Sequence, residues 1–222
     1  MSMSVEALSP DHNALVLAEL GEAERLACAY APRSLRPVYQ AVFALDATLR
    51  RVSLGAREPL PAQLRLAWWR EALAALPARR DHPILAALAD TWRTDTAALV
   101  ALVDAWEEIA VGDGVAEAAA EQVAGPRASA FAKCADESAA LALPAARCWT
   151  LVALADRASN DQERARMLDR ARHVELLRMP RKLRPLAVLA GLAQRAGRRG
   201  GSDLLGDRLS PLAAIRLGIL GR

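Results

Sequence analysis

The 222-residue chain is short of several residue types, and each shortage removes a class of function. Cysteine occurs three times, at Cys28, Cys134 and Cys148, an odd number with no CxxC spacing. A disulfide framework and a zinc ribbon are both excluded, and buried free thiols in a reducing compartment are expected. His12, His82 and His173 are scattered without metal-ligand spacing. Aromatics make up only 4% of the chain and are not interleaved with its basic residues, so no nucleic-acid partner is expected. No run of about 18 apolar residues reads as a membrane span. The stretch Met1-Ser2-Met3-Ser4-Val5-Glu6 has neither a basic n-region nor an apolar h-region, so a cytoplasmic location is expected. There is no glycine-rich phosphate loop, no internal repeat and no long linker.

What is present favours helix. Hydrophobic residues reach 53% and charged residues 25%, the balance of a globular chain. Alanine and leucine dominate, and β-branched residues are sparse. The expected fold is all-α, one domain over residues 1–222, with about eight to eleven helices. Ser9-Pro10-Asp11 opens a helix expected to reach Cys28. The next begins near Leu35 and carries a core stripe of Leu35, Val38, Val42, Leu45, Leu49 and Val52. After the loop marked by Gly55, Pro59 and Pro61, a helix with apolar residues on two sides is expected to bury more than one face. His82-Pro83 opens another, to about Trp92, and one more covers Asp95 to Ala110, stopped by Gly112 and Gly114. Val115 to Ala124 reads as a short helix closed by Gly125-Pro126, residues 127–142 as a separate helix, and Pro144 as the first turn of a third. Ser159-Asn160-Asp161-Gln162 reads as a capping box, with Gln162 reaching back to Ser159. Its arginine-rich helix is expected to end near Met179-Pro180. Helices from Pro185 to Arg198 and from Ser210-Pro211 complete the chain.

The charge is uneven. Residues 157–222 hold fifteen Arg/Lys against six Asp/Glu, a balance of +9, whereas residues 1–156 stand at −6. Only Lys133 and Lys182 among the 29 basic residues are lysine. Such an excess is either coding bias or a surface that faces an anion. Arg164, Arg166, Arg170, Arg172, Arg178, Arg181, Lys182 and Arg184 are the candidates for contact with an anionic membrane surface. Their spacing on the helix spreads them over much of its circumference.

Two segments about twenty residues apart carry a family resemblance. The first is Arg36-Pro37-Val38-Tyr39-Gln40-Ala41-Val42-Phe43-Ala44-Leu45-Asp46. The second is Arg65-Leu66-Ala67-Trp68-Trp69-Arg70-Glu71-Ala72-Leu73. With Glu58-Pro59, His82-Pro83 and Leu102-Val103-Asp104-Ala105, they resemble the squalene/phytoene synthase family. The resemblance implies a helical bundle of the isoprenoid (terpenoid) synthase type. It also implies head-to-head coupling of two prenyl diphosphates with magnesium. Its substrate-pocket candidates are Arg36, Tyr39, Phe43, Asp46, Arg65, Trp68 and Trp69, although Trp68 and Trp69 also read as core aromatics.

The acidic residues such an enzyme needs are missing. Paired acids at i and i+4 project side by side and can grip metal ions. Here Asp46 stands alone, followed by Ala47, with Arg50 at its i+4 position. Asp156 and Asn160 have the spacing, but Ser159 reads as a helix boundary between them. Asp104, Glu107 and Glu108 could grip a cation but read better as a solvated face. No metal ligand or catalytic residue is assigned, and no cofactor is expected, magnesium entering only if the chain is an active prenyltransferase. The chain is also similar to a branch resembling a complex I assembly factor, which keeps the Trp-Trp and His-Pro segments with degraded acidic motifs. The expectation is a catalytically inactive binding or assembly factor, peripheral at the inner membrane face. Its candidate partners are a prenyl lipid or a respiratory-complex subunit.

Overall fold

A computed structural model describes residues 10–55, 58–111 and 116–221, with side chains from residue 13 onward except that of Val111. Ser9, Gly112, Gly114 and Val115 lie outside these residues. Among the described residues there are eleven α-helices and no strand. They are α1 (Pro10–Ala18), α2 (Glu22–Ala29), α3 (Arg36–Gly55), α4 (Pro59–Ala74), α5 (Pro83–Thr91), α6 (Ala97–Val111), α7 (Ala116–Ala135), α8 (Ala139–Leu154), α9 (Asp161–His173), α10 (Arg184–Arg198) and α11 (Ser210–Leu220). One continuous core runs from Val16 to Leu217, and Val42, Leu45, Trp69, Leu73, Leu102 and Trp106 are buried in it together.

Four expected boundaries move. The first helix breaks at Gly21, which has extended backbone, so α1 and α2 replace one long helix. Gly125-Pro126 ends nothing: α7 runs through Pro126 to Ala135. An interior proline costs roughly 3 kcal/mol. Here Ala120, Val123, Ala124, Ala128 and Phe131, all buried, provide the offsetting packing. The true break comes at Asp136, with φ of 52°, before Ser138 caps α8 by accepting from Ala140 N–H at 3.2 Å. Pro144 therefore lies inside α8, not in its first turn. The arginine-rich α9 stops at His173, short of Met179.

The cap of α9 is shifted by one residue. Asn160 Oδ1 accepts from Glu163 N–H at 2.9 Å, and Glu163, not Gln162, reaches back. Its carboxylate accepts from Ser159 N–H at 2.8 Å and Ser159 Oγ at 2.6 Å. These bonds hold the Glu163 carboxyl below the usual range.

Residues Ala139–Arg157 are long enough and on average apolar enough to cross a membrane, although Arg147 interrupts the apolar run. In the fold this segment is a core helix, with Ala142, Ala145, Ala146, Cys148, Trp149 and Leu151 buried. It packs against α7, α9 and α10. The helix α4 buries one face through Leu66, Trp69 and Leu73. Of the expected second buried side, Ala72 is buried while Leu64 and Trp68 are exposed.

The last helix is locked at its end. Gly221 takes φ of 75°, its N–H bonds Leu217 O at 2.8 Å, and its carbonyl accepts from Met179 N–H at 3.0 Å. A Cβ at Gly218 would meet the Tyr30 ring at 2.0 Å, so only glycine lets α11 lie this close to the end of α2.

Candidate functional site

Asp46 lies in the middle of α3, on the same stripe as Val42 and Leu49. It is 2% exposed, and Arg127 opposite it on α7 is fully enclosed. Arg127 Nη2 donates to Asp46 Oδ2 at 2.9 Å and Oδ1 at 3.2 Å. Trp106 Nε1, from α6, donates to Oδ1 at 2.9 Å. Arg127 Nη1 donates to Thr150 Oγ1 at 2.6 Å, and Thr150 in turn donates to Ala146 O at 2.7 Å. The guanidinium carbon sits 4.0 Å from the Trp149 ring centroid and 5.5 Å from that of Trp106. Four helices therefore meet around one ion pair. Burial pulls the Arg127 guanidinium down from its ordinary value, and the facing Asp46 carboxylate opposes that pull. An arginine does not give up its proton under such conditions. Charges this deep persist because each answers the other and both are hydrogen-bonded.

Aromatic rings fill the space beside the pair. Phe43 and Phe131 have centroids 4.5 Å apart, and Trp149 lies 5.8 Å from Phe43. Tyr39 stacks at 6.1 Å from Phe131 and donates its hydroxyl to Lys182 O at 2.7 Å. Burial raises the Tyr39 phenol well above its ordinary value. Tyr39 and Phe43 are wholly buried in this packed cluster.

The seven pocket candidates thus fall in different places. Tyr39, Phe43 and Asp46 come together in the core. Trp69 is buried against His82, with ring centroids 4.9 Å apart. Trp68 is 36% exposed, with Arg79 over its ring, so the core reading of the two tryptophans holds for Trp69 alone. Arg65 lies in a shallow surface cleft beside Arg51 and Glu58. Arg36 borders a different cleft, with Arg33, Arg181 and Arg184.

The His-Pro pair has a local cause: His82 is the N-cap of α5 and Pro83 its first residue. His82 Nδ1 accepts from Ile84 N–H at 3.2 Å, and burial lowers its pKa. The acids Asp104 and Glu107 are occupied by Arg70, whose Nε lies 2.7 Å from Asp104 Oδ1 and whose Nη2 bonds Glu107. That clamp ties α4 to α6, as expected of a surface ion-pair arginine. Arg50 faces Glu24 at 3.9 Å and leaves Asp46 to Arg127.

A magnesium site needs several oxygen donors free to converge on one ion. The residues here do not fit it. Both Asp46 oxygens are already taken, and Ala47 and Arg50 follow it. Asp156 sits in a separate 3-10 turn, bonded to Arg164 and Ser202, and Asn160 is a helix cap. Among the described residues no three carboxylate, imidazole or thiolate groups cluster as metal ligands.

Arg127 was missed in the sequence because its helix read as broken one residue earlier. A signal existed: Val123, Arg127 and Phe131 occupy i, i+4 and i+8, an arginine on an apolar stripe. The thiols match expectation. Cys28, Cys134 and Cys148 are free and buried. Burial pushes Cys28 and Cys148 up to about 12 and Cys134 higher still.

A separate cavity of about 240 Å³ opens between α10 and α11, lined by Ala187, Ala190, Gly191 and Leu217 with Arg195 and Arg198. Residues 21–112 match the family model of squalene/phytoene synthase. That match spans less than half of the chain, and the all-helical architecture of the described residues is consistent with that family's fold. Comparison with curated proteins and with solved structures gives no match.

Proposed function

We propose that this chain, matched to the squalene/phytoene synthase family over residues 21–112, has exchanged catalysis for a binding or assembly role at a membrane surface. One observation carries the loss of catalysis. The acid where the first magnesium motif would begin, Asp46, is sealed in the core as the counter-ion of Arg127. Releasing it would strand a buried guanidinium, and stranding one member of such a pair costs roughly 3–5 kcal/mol. The aromatic cluster of Tyr39, Phe43, Phe131 and Trp149 occupies the adjoining volume.

The assembly role follows from the resemblance to the complex I assembly-factor branch, with its degraded acidic motifs. Its partner would be a respiratory-complex subunit or a prenyl lipid, met at the cytoplasmic face of the inner membrane. The +9 balance of residues 157–222 supports an anionic surface as the meeting place.

The competing reading is a magnesium-dependent prenyltransferase, favoured by the family match alone. Purified protein incubated with farnesyl or geranylgeranyl diphosphate and magnesium separates the two. No coupled product above the protein-free control is expected. Magnesium-dependent formation of a coupled isoprenoid would establish the enzyme instead.

A further inference from the structure

The arginines of α9 are poorly placed for a membrane. Arg166 and Arg170 lie against Glu117 of α7, and Arg170 also bonds Glu121 at 2.8 Å. Arg164 pairs with Asp156 at 3.3 Å, and Arg172 with Asp169. Their charge is largely answered inside the protein.

A different set of arginines is not answered. Arg33, Arg36, Arg181 and Arg184 converge on an open cleft of about 530 Å³ between the end of α2 and the start of α10. No carboxylate lines it. Among the described residues none of the four has an acid within salt-bridge distance, the other paired arginines being at most 3.9 Å from theirs. Two are pinned by backbone: Arg36 Nη2 donates to Ala29 O at 3.0 Å, and Arg184 Nη1 to Gly218 O at 2.9 Å. The Nε atoms of both are buried without a partner, as is that of Arg127 in the core. Guanidinium groups held together by such anchors repel one another and favour a bound anion, for which phosphate oxygens are geometrically suited.

The last turn of α11 forms one wall of this cleft, through Gly218 and Ile219. The outward face of that helix is mostly apolar, with the exposed Arg216 set among its apolar side chains. Leu212, Ile215 and Ile219 share it at i, i+3 and i+7, and are 61%, 45% and 58% exposed. Leu209 and Leu220 extend the row at either end. An exposed apolar row beside an unanswered basic cleft is the pattern of a helix that lies in a lipid interface with basic groups at headgroup level.

We infer that α11 and the four-arginine cleft form a docking surface for an anionic phospholipid bilayer. The Leu212–Ile215–Ile219 row enters the acyl boundary, and the cleft takes a lipid phosphate. This rests on the membrane-surface reading above and gives it a location.

Flotation with vesicles of phosphatidylcholine alone, or mixed with phosphatidylglycerol, tests it. The full chain should bind only the mixed vesicles, and high salt should weaken binding. Arg33→Ala with Arg181→Ala, both exposed, should weaken binding about 25-fold, at about fivefold for each basic residue near the surface. Ile215→Ser with Ile219→Ser should weaken it at least about tenfold. Unchanged thermal melting of both double variants shows that docking, not folding, is being read. If the full chain binds but both variants bind equally well, this surface is wrong while the membrane reading stands. If the full chain binds neither vesicle, both fall. Equal binding to the two vesicle types overturns the requirement for an anionic bilayer. Calorimetric binding of inorganic phosphate without vesicle binding would make the cleft a free-anion site and overturn the bilayer docking surface.

Discussion

Arginine is used in two opposite ways in this molecule. Arg127 is completely enclosed and bonded through its two Nη groups to Thr150 and Asp46. Arg33, Arg36, Arg181 and Arg184 line a surface cleft without a carboxylate, and only Arg36 and Arg184 bond backbone carbonyls. The difference lies in who supplies the counter-charge. Inside, the protein does, and the pair becomes part of the fold. At the cleft it is left to something else. The acid is turned inward and these four arginines outward.

The strongest way to break this contrast is to remove the inner arginine. Arg127→Met leaves the Asp46 carboxylate buried with only Trp106 as a donor, and should destabilise by roughly 3–5 kcal/mol. Asp46→Leu together with Arg127→Met removes both charges and should recover most of that loss. Urea denaturation of the three proteins measures it. A single variant as stable as the parent would mean that Asp46 is not held by Arg127, and the pocket around it would be open to other chemistry.

Much of the frame was legible in the sequence, and the failures share a cause. The stripe from Val38 to Leu49 and the His82-Pro83 and Ser210-Pro211 starts were readable because each is a local signal. Local signals misled where packing outweighed them. Gly125-Pro126 looks like punctuation, yet α7 continues because both of its sides meet neighbouring helices, α6 and α8. Asp46 looked solitary because its partner lies 81 residues along the chain, in the helix that the false break divided. The surface charges failed similarly. Residues 157–222 carry the excess, but Glu117 and Glu121, from another helix, decide which of its arginines remain unanswered.

A titrating group between the two extremes sharpens the comparison. His82 is half-buried against Trp69, and its Nδ1 must stay unprotonated to accept the Ile84 N–H. Burial lowers its pKa, with Glu19 and Asp81 pulling weakly the other way. The unfolded chain, near the ordinary value of about 6.5, therefore binds the proton first. Stability from this group is full above about pH 6.5 and falls as the pH drops through the lower folded value. His82→Asn keeps an N-cap acceptor and removes the titration. Thermal melts from neutral to mildly acid pH should show a shallower decline for that variant. Identical declines would place the acid sensitivity elsewhere, with the carboxylate of Glu163 or Asp207, both held below their ordinary range, the next to test.

The smallest expected effect tests the comparison from its other side. Arg170 resembles the cleft arginines in exposure but resembles Arg127 in being answered, by Glu117 at 2.6 Å and Glu121 at 2.8 Å. An exposed pair of this kind contributes at most about 1 kcal/mol, and salt screens it. Arg170→Ala should therefore lower stability by less than about 1 kcal/mol at low ionic strength, and by nothing measurable at high ionic strength. Its effect on vesicle binding discriminates more sharply. If the counter-charge decides which arginines are available, Arg170→Ala should bind anionic vesicles as the parent does, because the lost cation was already neutralised and Glu117 and Glu121, on α7, keep Arg166 and Arg147 as partners. A loss as large as that of the Arg33 and Arg181 pair would show that total charge, not the answered or unanswered state of each arginine, governs attraction to the surface.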